Sequence, residues 1–314
     1  MKKFCLFTLL LAMVLSVTGC GLVQSVQTRF SGESVRIGIM PDVQSVPFVV
    51  ADAQKYFSKA GVKVTLIQYE SAQERDEALR DGLIDGMVTD FIAVLLANEN
   101  GFPVQAVAKT DGDMYLLAGK SSGIRSLNEA EGKSIGLSGA TIMEFTVDVM
   151  LQRADISPED VEKALVAPIT HRFEMLQEGA FDLAILPEPL SQLASEQGAV
   201  SVRSTRNSNI KAGVIAFRTD FLISDPGKVK AVFTAYDQAV EYLNEADPSA
   251  YTDLLIKRMG FPPELRESLV LPQYTPAESP HRVVFVLAQN WVREKGLIEK
   301  DYSFNYIVDH NILQ

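Results

Sequence analysis

The chain is poor in the residues on which metal sites and disulfides depend. Its 314 residues include 2 cysteines and 3 histidines. Cys5 and Cys20 lie near the start of the chain, and His171, His281 and His310 lie in three separate segments. Metal sites of the zinc type need histidine or cysteine ligands at short spacings, and such spacings are missing here. We therefore expect no metal site, no cofactor and no disulfide in the folded body.

Enzyme motifs and an excess of positive charge are also missing. The sequence contains no glycine-rich phosphate loop and no serine nucleophile elbow, so we expect a protein with no catalytic residues rather than an enzyme. Lysine and arginine total 29, against 40 aspartate and glutamate residues, which gives a formal charge of −11. This balance argues against nucleic acid as a partner.

Long hydrophobic runs are confined to the first twenty residues. Two lysines precede an apolar stretch over residues 4–17, which is too short to span a bilayer comfortably. This pattern predicts an export signal over residues 1–19. The sequence Val17-Thr18-Gly19-Cys20 resembles the bacterial lipobox, in which the cysteine becomes the lipidated first residue of the mature chain. An ordinary signal peptide that is cut nearby is the alternative.

After residue 34, short apolar runs alternate with longer amphipathic segments. This alternation is typical of strands joined by crossover helices in a mostly parallel sheet, so we predict an α/β fold. The predicted strands are residues 35–39, 62–68, 86–89, 104–108, 133–137, 164–167 and 181–186. The predicted helices are residues 47–59, 72–80, 91–98, 142–153, 172–178, 226–244, 248–259, 263–269 and 281–295.

One stretch of sequence occurs twice. Residues 79–85 read LRDGLID, and residues 176–182 read LQEGAFD. In both copies a leucine ends an amphipathic helix, and the glycine three residues later can take the left-handed conformation that closes it. The aspartate at the end of each copy predicts a turn that precedes a strand. The sequence therefore predicts a repeated helix, turn and strand unit in two similar half-sheets.

A polar loop follows the strand of each copy, Thr89-Asp90-Phe91 in the first and Pro187-Glu188-Pro189 in the second. In an open parallel sheet, ligands bind outside the carboxyl ends of the strands, where loops and helix N-termini meet. Two half-sheets that each present such a loop predict two lobes facing one cleft.

Longer segments of the chain resemble the type 2 periplasmic substrate-binding proteins of ABC importers. The resemblance is to the branch that contains binders of sulfonates, taurine, nitrate and thiamine pyrimidines, and it rests on the order and spacing of five segments. These segments are RIGIMPDVQSVPFVVADAQKYFSKAGVKVTLIQY, ALRDGLIDGMVTDFIAVLLANENGFPVQAVA, EAEGKSIGLSGATIMEFTVDVMLQRADI, EMLQEGAFDLAILPEPLSQLASEQG and GVIAFRTDFL.

The resemblance implies a two-lobed periplasmic binding protein type 2 fold, in which each lobe is a mostly parallel sheet flanked by helices and the ligand cleft lies between the lobes. The chain would leave the first lobe, build the second and return, crossing near residues 114–119 and 213–218. The implied division is a signal peptide at 1–19, a tether at 20–33, the first lobe at 34–116 and 214–314, and the second lobe at 117–213.

The resemblance also implies a role and partners. The protein would capture a small organic solute, such as a sulfonate, an amino-sulfonate or a pyrimidine-like compound, and deliver it to the permease and ATPase subunits of an importer. A lipid on Cys20 would hold the protein, as a monomer, at a membrane that faces the periplasm or the cell exterior. Acylation at this cysteine keeps the receptor close to its transporter.

Loops that face the implied cleft contain the candidate ligand contacts. Ser138–Thr141 resembles the loop at which the family often receives an anionic or polar group, and Arg172 could bind a carboxylate or sulfonate with two parallel hydrogen bonds. Glu144 argues the other way if it occupies the amides of that loop, so the charge of the ligand stays open. The candidates are Asp42, Gln44, Ser45, Thr89, Asp90, Ser138, Gly139, Ala140, Thr141, Arg172 and Glu188.

Most candidates also have a purely structural interpretation. Ser45, Asp90 and Thr141 precede predicted helices that they could cap. Arg172 could be a solvated arginine at a helix start, and Glu188 could pack against the return strand.

Two other functions are compatible with the sequence. A lipoprotein that only docks on another protein would keep the fold and lose the chemistry of the cleft. The fungal pyrimidine synthases that supply thiamine also resemble these binding proteins. Those enzymes carry a cysteine-rich motif, whereas the mature chain here has only Cys20, so an enzyme is the remote alternative.

Overall fold

The computed structural model describes residues 34–314. The predicted signal peptide, the tether and the lipidation site at Cys20 lie outside the described residues. Within residues 34–314, no helix has both the length and the apolar composition needed to cross a membrane.

Two five-stranded sheets form the centre of the described part of the chain. In the first the strand order is β2-β1-β3-β10-β4, and in the second it is β7-β6-β8-β5-β9. The strands are β1 (Val35–Ile39), β2 (Val64–Gln68), β3 (Gly86–Asp90), β4 (Val104–Lys109), β5 (Met114–Ala118), β6 (Ser134–Leu137), β7 (Glu162–Leu165), β8 (Leu183–Pro187), β9 (Val200–Ser204) and β10 (Gly213–Arg218).

Helices flank both sheets. Several shorter helices pack directly on strands, whereas the two longest, Pro226–Glu245 and Arg282–Glu294, pack mainly on other helices. The helices are α1 (Val46–Ala53), α2 (Tyr56–Lys59), α3 (Ala72–Arg80), α4 (Phe91–Glu99), α5 (Ile142–Gln152), α6 (Ile169–Glu178), α7 (Leu190–Glu196), α8 (Thr205–Ser208), α9 (Thr219–Ser224), α10 (Pro226–Glu245), α11 (Thr252–Met259), α12 (Arg282–Glu294) and α13 (Phe304–Ile307).

The two sheets share one topology. In each, a central strand pairs in parallel with two others, β1 with β2 and β3, and β6 with β7 and β8. The strand that completes each sheet, β10 or β5, is antiparallel to both of its neighbours. The sheets are therefore mixed, because the chain runs through these two strands in the opposite direction as it crosses between sheets. The predicted lobe boundaries at residues 116/117 and 213/214 fall inside β5 and β10.

The repeated heptapeptide closes a helix in both sheets. Gly82 has φ 69° after α3, and Gly179 has φ 74° at the end of α6, which is the left-handed conformation predicted for both. The two aspartates precede a strand as predicted and also bond to a second strand. Asp85 accepts the backbone N–H of Arg36 in β1 at 2.9 Å, and Asp182 accepts that of Ser134 in β6 at 3.0 Å. Each aspartate thus joins its turn to the neighbouring strand.

Several predicted elements differ locally from the structure. The helix predicted over residues 47–59 is divided into α1 and α2, because Lys55 takes a left-handed conformation with φ 60°. The helix predicted over residues 263–269 is a single 3-10 turn, Pro263–Leu265. Five elements were not predicted: the edge strand β9, and the helices α7, α8, α9 and α13.

Candidate functional site

A cavity lies between the two sheets, where loops at the carboxyl ends of strands from both sides meet. Its walls come from the loop after β1, the end of β3, the loop after β6 and the segment after β7. The cavity, including its open mouth, has a volume of about 520 Å³. The part of this volume that the centres of water molecules can occupy is about 40 Å³. The sheets are therefore nearly closed on each other.

Seven of the eleven predicted site residues line this cavity. They are Asp42, Gln44, Thr89, Asp90, Ser138, Thr141 and Arg172. Gly139 and Ala140 line two grooves at the mouth instead. Ser45 and Glu188 line neither the cavity nor those grooves. The structure thus brings together the loops that the repeat and the resemblance indicated. Ser45 and Glu188 lie behind these loops.

Arg172 is the most unusual group in the cavity wall. Its side chain has 0% exposure, and no carboxylate accepts its hydrogen bonds. Nε donates to the Ile185 carbonyl at 3.2 Å, and Nη1 donates to the Val166 and Ala167 carbonyls at 2.6 and 3.1 Å. Nη2 has no partner among residues 34–314. Burial lowers the pKa of Arg172 to about 10, so the guanidinium stays charged at neutral pH.

Thr89 supplies a second unsatisfied polar group on the opposite wall. It is the fourth residue of β3, a strand that is buried throughout, and it lines the same cavity as Arg172. Its Oγ1 is buried and finds no hydrogen-bond partner in the described part of the chain. A buried hydroxyl without a partner costs about 1–3 kcal/mol, so two such groups beside one cavity indicate a place for a polar ligand.

Two buried carboxylates, Asp42 and Asp90, line the wall formed by the first sheet. Each caps the helical turn that follows it: Asp42 Oδ1 accepts the Gln44 N–H at 3.0 Å, and Asp90 Oδ1 accepts the Ala93 N–H at 3.0 Å. Burial raises the pKa of each to about 6, although Arg75 partly offsets this effect. Asp42 and Asp90 therefore each cap a helical turn and also line the cavity.

Arg75 lines the same wall and was not among the predicted residues. Nη1 donates to the Val88 carbonyl at 3.0 Å, and Nε and Nη2 donate to Asp76 Oδ1 at 2.9 and 2.7 Å. Each of the three side-chain nitrogens of Arg75 therefore has a hydrogen-bond partner, whereas Nη2 of Arg172 has none within residues 34–314. A signal was present in the sequence, because Arg75 shares a buried face of α3 with Ala78 and Leu79 at helical spacing.

Ser138 connects the two sides of the cavity. Gln73 Nε2, on α3, donates to Ser138 Oγ at 3.1 Å, and the Gln73 amide oxygen lies 3.4 Å from the same hydroxyl. Gln73 also lines both grooves at the mouth. This pair therefore bridges the first and second sheets at the entrance.

Glu144 does not extend the negative charge into the cavity. Thr141 caps α5, accepting the Met143 N–H at 3.2 Å, and Glu144 Oε2 accepts the Ala140 N–H at 2.8 Å, so Glu144 occupies one amide of the Ser138–Thr141 loop that an anion would otherwise use. Lys163 and Lys295 lie 2.9 and 3.1 Å from Glu144 Oε1. Burial tends to raise the pKa of Glu144, but these hydrogen bonds outweigh it and lower the pKa overall.

Ser45 supports the first loop from behind. Its Oγ accepts the Met40 N–H at 3.1 Å and lies 3.5 Å from Asp42 Oδ1. Although Ser45 precedes α1, its side chain makes no capping bond to that helix. Gln44 reaches the cavity, and its Oε1 accepts the Thr110 hydroxyl at 2.5 Å.

Glu188 lies where the chain crosses between the sheets. Its Oε2 accepts the Asp113 N–H at 3.0 Å and its Oε1 accepts the Tyr115 hydroxyl at 3.4 Å, both at the start of β5. Its carbonyl accepts the Val43 N–H at 3.1 Å. Burial and the nearby Asp113 raise the pKa of Glu188. These contacts hold the crossing strand and the first loop together.

The family profile described as NMT1/THI5 like matches residues 42–250, which include every predicted site residue. The chain belongs to the NMT1/THI5-like family. Among curated proteins, an ABC transporter periplasmic binding protein of Brachyspira hyodysenteriae is 24% identical to this NMT1/THI5-like chain over 192 residues. The alignment covers 56% of this chain and 55% of the relative, so the chain spans about half the length of the curated relative that it matches.

Solved structures share the fold of this NMT1/THI5-like protein. The periplasmic aliphatic sulphonate binding protein of Escherichia coli superposes with a TM-score of 0.75 and 18% identity, covering 89% of this chain and 93% of its own. The desulfurization enzyme DSZB superposes with a TM-score of 0.67 and 13% identity, covering 90% and 98%. The predicted family and the two-lobed binding-protein fold are confirmed, and the fold also occurs in an enzyme.

Proposed function

We propose that this chain is the solute-binding component of an ABC importer and that it closes around a small organic solute with an acidic group. One observation carries the proposal: Arg172 is buried in the cavity wall, and within residues 34–314 no carboxylate accepts its hydrogen bonds and Nη2 has no partner. A buried charge without a counter-charge is costly, and an incoming acid would supply that counter-charge.

A sulfonate or a carboxylate fits this wall chemically. Hydrogen bonds that involve a charged group contribute about 1.5–3 kcal/mol each, more than neutral ones. Arg172 Nη2 would donate one such bond, and the hydroxyl of Thr89 would donate another from the first sheet. The aliphatic sulphonate binding protein of similar fold agrees with an acid of this kind.

Uptake requires the two sheets to separate. The free volume of about 40 Å³ admits a few water molecules and is too small for an organic solute. β5 and β10 carry the chain between the sheets, and bending beside them would open the entrance between Gln73 and Ser138. Closure around a solute would re-form that bridge.

Thermal unfolding with a panel of small sulfonates and carboxylates tests the proposal. A ligand at about one hundred times its dissociation constant stabilises the folded state by about 2.7 kcal/mol, a clear rise in melting temperature. Arg172→Lys should weaken binding, because an ammonium group cannot reproduce the planar guanidinium. Arg258→Lys, at a surface ion pair with Asp52, is the matched control and should bind like the wild type.

Two results would contradict the proposal. No shift with any acid in a broad panel would favour the alternative in which the protein only docks on another protein. Conversion of the bound compound, detected by mass spectrometry of what is released, would favour the enzyme alternative. Release of the compound unchanged is the expected result.

The cellular part of the proposal concerns attachment and partners. We propose that Cys20 carries the lipid anchor, and that a permease with its ATPase subunits accepts the solute from a monomeric protein. Replacing Cys20 with alanine should move the protein from the membrane fraction to the medium or the periplasm, with solute affinity unchanged. Retention of the variant in the membrane fraction would exclude Cys20 as the anchor.

A further inference from the structure

Ala140 has an unusual backbone conformation for a residue that carries a side chain. Its φ is 54°, in the left-handed region that glycine favours and that disfavours an alanine by about 5- to 30-fold. Among residues 34–314, four non-glycine residues have a positive φ, and Ala140 is the one in a loop that lines the cavity. Such a conformation persists only where the surroundings hold it, so the contacts of Ala140 also affect its neighbours Ser138 and Thr141.

Glu144 supplies the contact that holds this backbone. Its Oε2 accepts the Ala140 N–H at 2.8 Å, so the bond is made to the strained residue itself. A charged acceptor makes such a bond stronger than one between neutral groups. The Thr141 hydroxyl also donates to the Ser138 carbonyl at 2.7 Å, which closes the loop. The loop therefore depends on one side chain from outside it, that of Glu144.

Two lysines in turn hold Glu144. Lys163 Nζ and Lys295 Nζ lie 2.9 and 3.1 Å from Oε1, the oxygen that Ala140 does not use. The Glu144 side chain is only 14% exposed, so water screens these pairs only partly. Both lysines also pair with the buried Asp148, at 2.6 and 3.0 Å.

Lys295 connects this loop to a distant part of the chain. It directly follows α12, and α12 packs on α4, which flanks the first sheet. The loop and Glu144 belong to the second sheet. The pair between Lys295 and Glu144 therefore links a helix on the first sheet to a cavity loop on the second.

Building on the proposed function, we infer that Glu144 and Lys295 are positioning residues for solute binding. Lys295 holds Glu144, Glu144 holds Ala140 in the left-handed conformation, and Ser138 and Thr141 thereby stay in the cavity wall. Neither positioning residue lines the cavity: Glu144 lines a groove at its mouth, and Lys295 lies outside both. Their effect on the solute is therefore indirect.

A double-mutant cycle tests the link between Glu144 and the loop. The probe is the acid that gives the largest thermal shift with the wild type, and calorimetry measures its affinity. Glu144→Ala should weaken binding about 3- to 10-fold, because the left-handed conformation loses its support. In an Ala140→Gly background the same change should weaken binding less than about 2-fold, since glycine adopts this conformation without support. The Ala140 amide is freed in both backgrounds, so its own effect on an acid cancels.

Hydrogen exchange of the ligand-free protein tests the contribution of Lys295. Lys295→Met removes the charge and keeps an unbranched side chain of similar length. A peptide that contains residues 138–141 should exchange about 3-fold faster or more, although Glu144 itself is unchanged. Lys228→Met, which removes a surface ion pair with Asp225, is the matched control and should leave that rate unchanged. Lys295→Met also replaces Glu144→Ala in the cycle if the latter does not fold.

The outcomes separate this inference from the proposed function. Equal weakening by Glu144→Ala in both backgrounds would overturn the inference, because the carboxylate would then act without the conformation of Ala140. An unchanged exchange rate in Lys295→Met would also overturn it. If no acid binds the wild type, the proposed function fails, and exchange alone decides the positioning of the loop: faster exchange in both Glu144→Ala and Lys295→Met supports it, and unchanged exchange overturns it.

Discussion

Trp291 Nε1 donates a hydrogen bond to Asp148 Oδ2 at 3.0 Å, and this bond joins α12 to α5 of the second sheet. Lys163 and Lys295 lie 2.6 and 3.0 Å from the same carboxylate, and the Trp291 ring packs on Phe145 with centroids 5.8 Å apart. Because α12 also packs on α4, it is attached to both halves of the protein.

Replacing Trp291 with phenylalanine keeps an aromatic ring against Phe145 and removes the N–H donor. We expect the free energy of unfolding to fall by about 1–3 kcal/mol, because the buried Asp148 loses a partner. Urea unfolding followed by circular dichroism measures the change. Tyr306→Phe also removes one polar atom from an aromatic side chain, but at a half-exposed position, and should cost less than about 0.5 kcal/mol. Equal losses in the two variants would contradict a specific role for the bond.

Replacing Thr89 with valine removes a buried hydroxyl that has no partner while keeping the shape of the side chain. The ligand-free protein should be as stable as the wild type or more stable by about 1 kcal/mol, and solute affinity should fall about 2- to 10-fold. Thr146→Val is the matched control, since the Thr146 hydroxyl is also buried without a partner within residues 34–314 but lies outside the cavity. It should leave affinity unchanged, and an equal loss there would exclude direct contact by Thr89.

Replacing Gln73 with alanine removes the bridge to Ser138 at the entrance. Because the proposed separation of the sheets would break this bond, we expect the dissociation rate of the solute to rise about 2- to 10-fold, the equivalent of one net hydrogen bond. Stopped-flow displacement measures this rate. Gln177→Ala, which removes a surface bond to Gln197, should leave the rate unchanged. A wild-type rate for Gln73→Ala would mean that the bridge does not retain the solute.

Asp90→Asn should change stability in a pH-dependent way. In the folded ligand-free protein burial raises the pKa of Asp90 from 3.8 to about 6, so the folded state binds more protons than the unfolded state between these values. The ionised carboxylate therefore destabilises the fold above about pH 6, and the penalty disappears near pH 4. Asparagine still caps α4, so the variant should be more stable by up to about 3 kcal/mol near pH 7.5 and no more stable near pH 4.

Urea unfolding at both pH values checks this prediction. Asp247→Asn is the control, because Asp247 also caps a helical turn but is exposed, and bonding to Ser249 lowers its pKa. That variant should show no gain near neutral pH. A gain for Asp90→Asn that is equal at both pH values would contradict the burial of a charged carboxylate as the cause.

Gly86→Ala should destabilise the first sheet. A Cβ atom at Gly86 would lie 2.4 Å from the ring of Phe217 in the paired strand β10, and overpacking of this kind costs about 1–3 kcal/mol. Gly227, in the first turn of α10, has open space around the same position, so Gly227→Ala should be neutral or stabilising by up to about 1 kcal/mol. Differential scanning calorimetry of both variants measures the contrast. A wild-type melting temperature for Gly86→Ala would show that the ring can move away.

Local sequence patterns determined much of the fold. Hydrophobic periodicity and capping residues give helix and strand positions, and the repeated heptapeptide indicates two similar half-sheets, because these signals act over a few residues. The repeat located Thr89 and Asp90 after a strand, and the family resemblance indicated Ser138, Thr141 and Arg172; the structure places all five in the wall of one cavity. β9 was missed, although Val200 and Val202 alternate with polar residues in the manner typical of an edge strand.

Only the tertiary structure decided how these residues are used. The same sequence motif puts Asp90 in the cavity wall and Glu188 behind it, because Glu188 turns toward the N–H of Asp113 in the crossing strand. The surroundings of two similar guanidinium groups also differ: Arg75 bonds to Asp76, its neighbour in the chain, whereas Arg172 bonds only to carbonyls and keeps one nitrogen unpaired within residues 34–314. Although these partners lie near in the chain, both side chains are buried because segments far apart in the sequence pack over them, and no local pattern of residues encodes that packing.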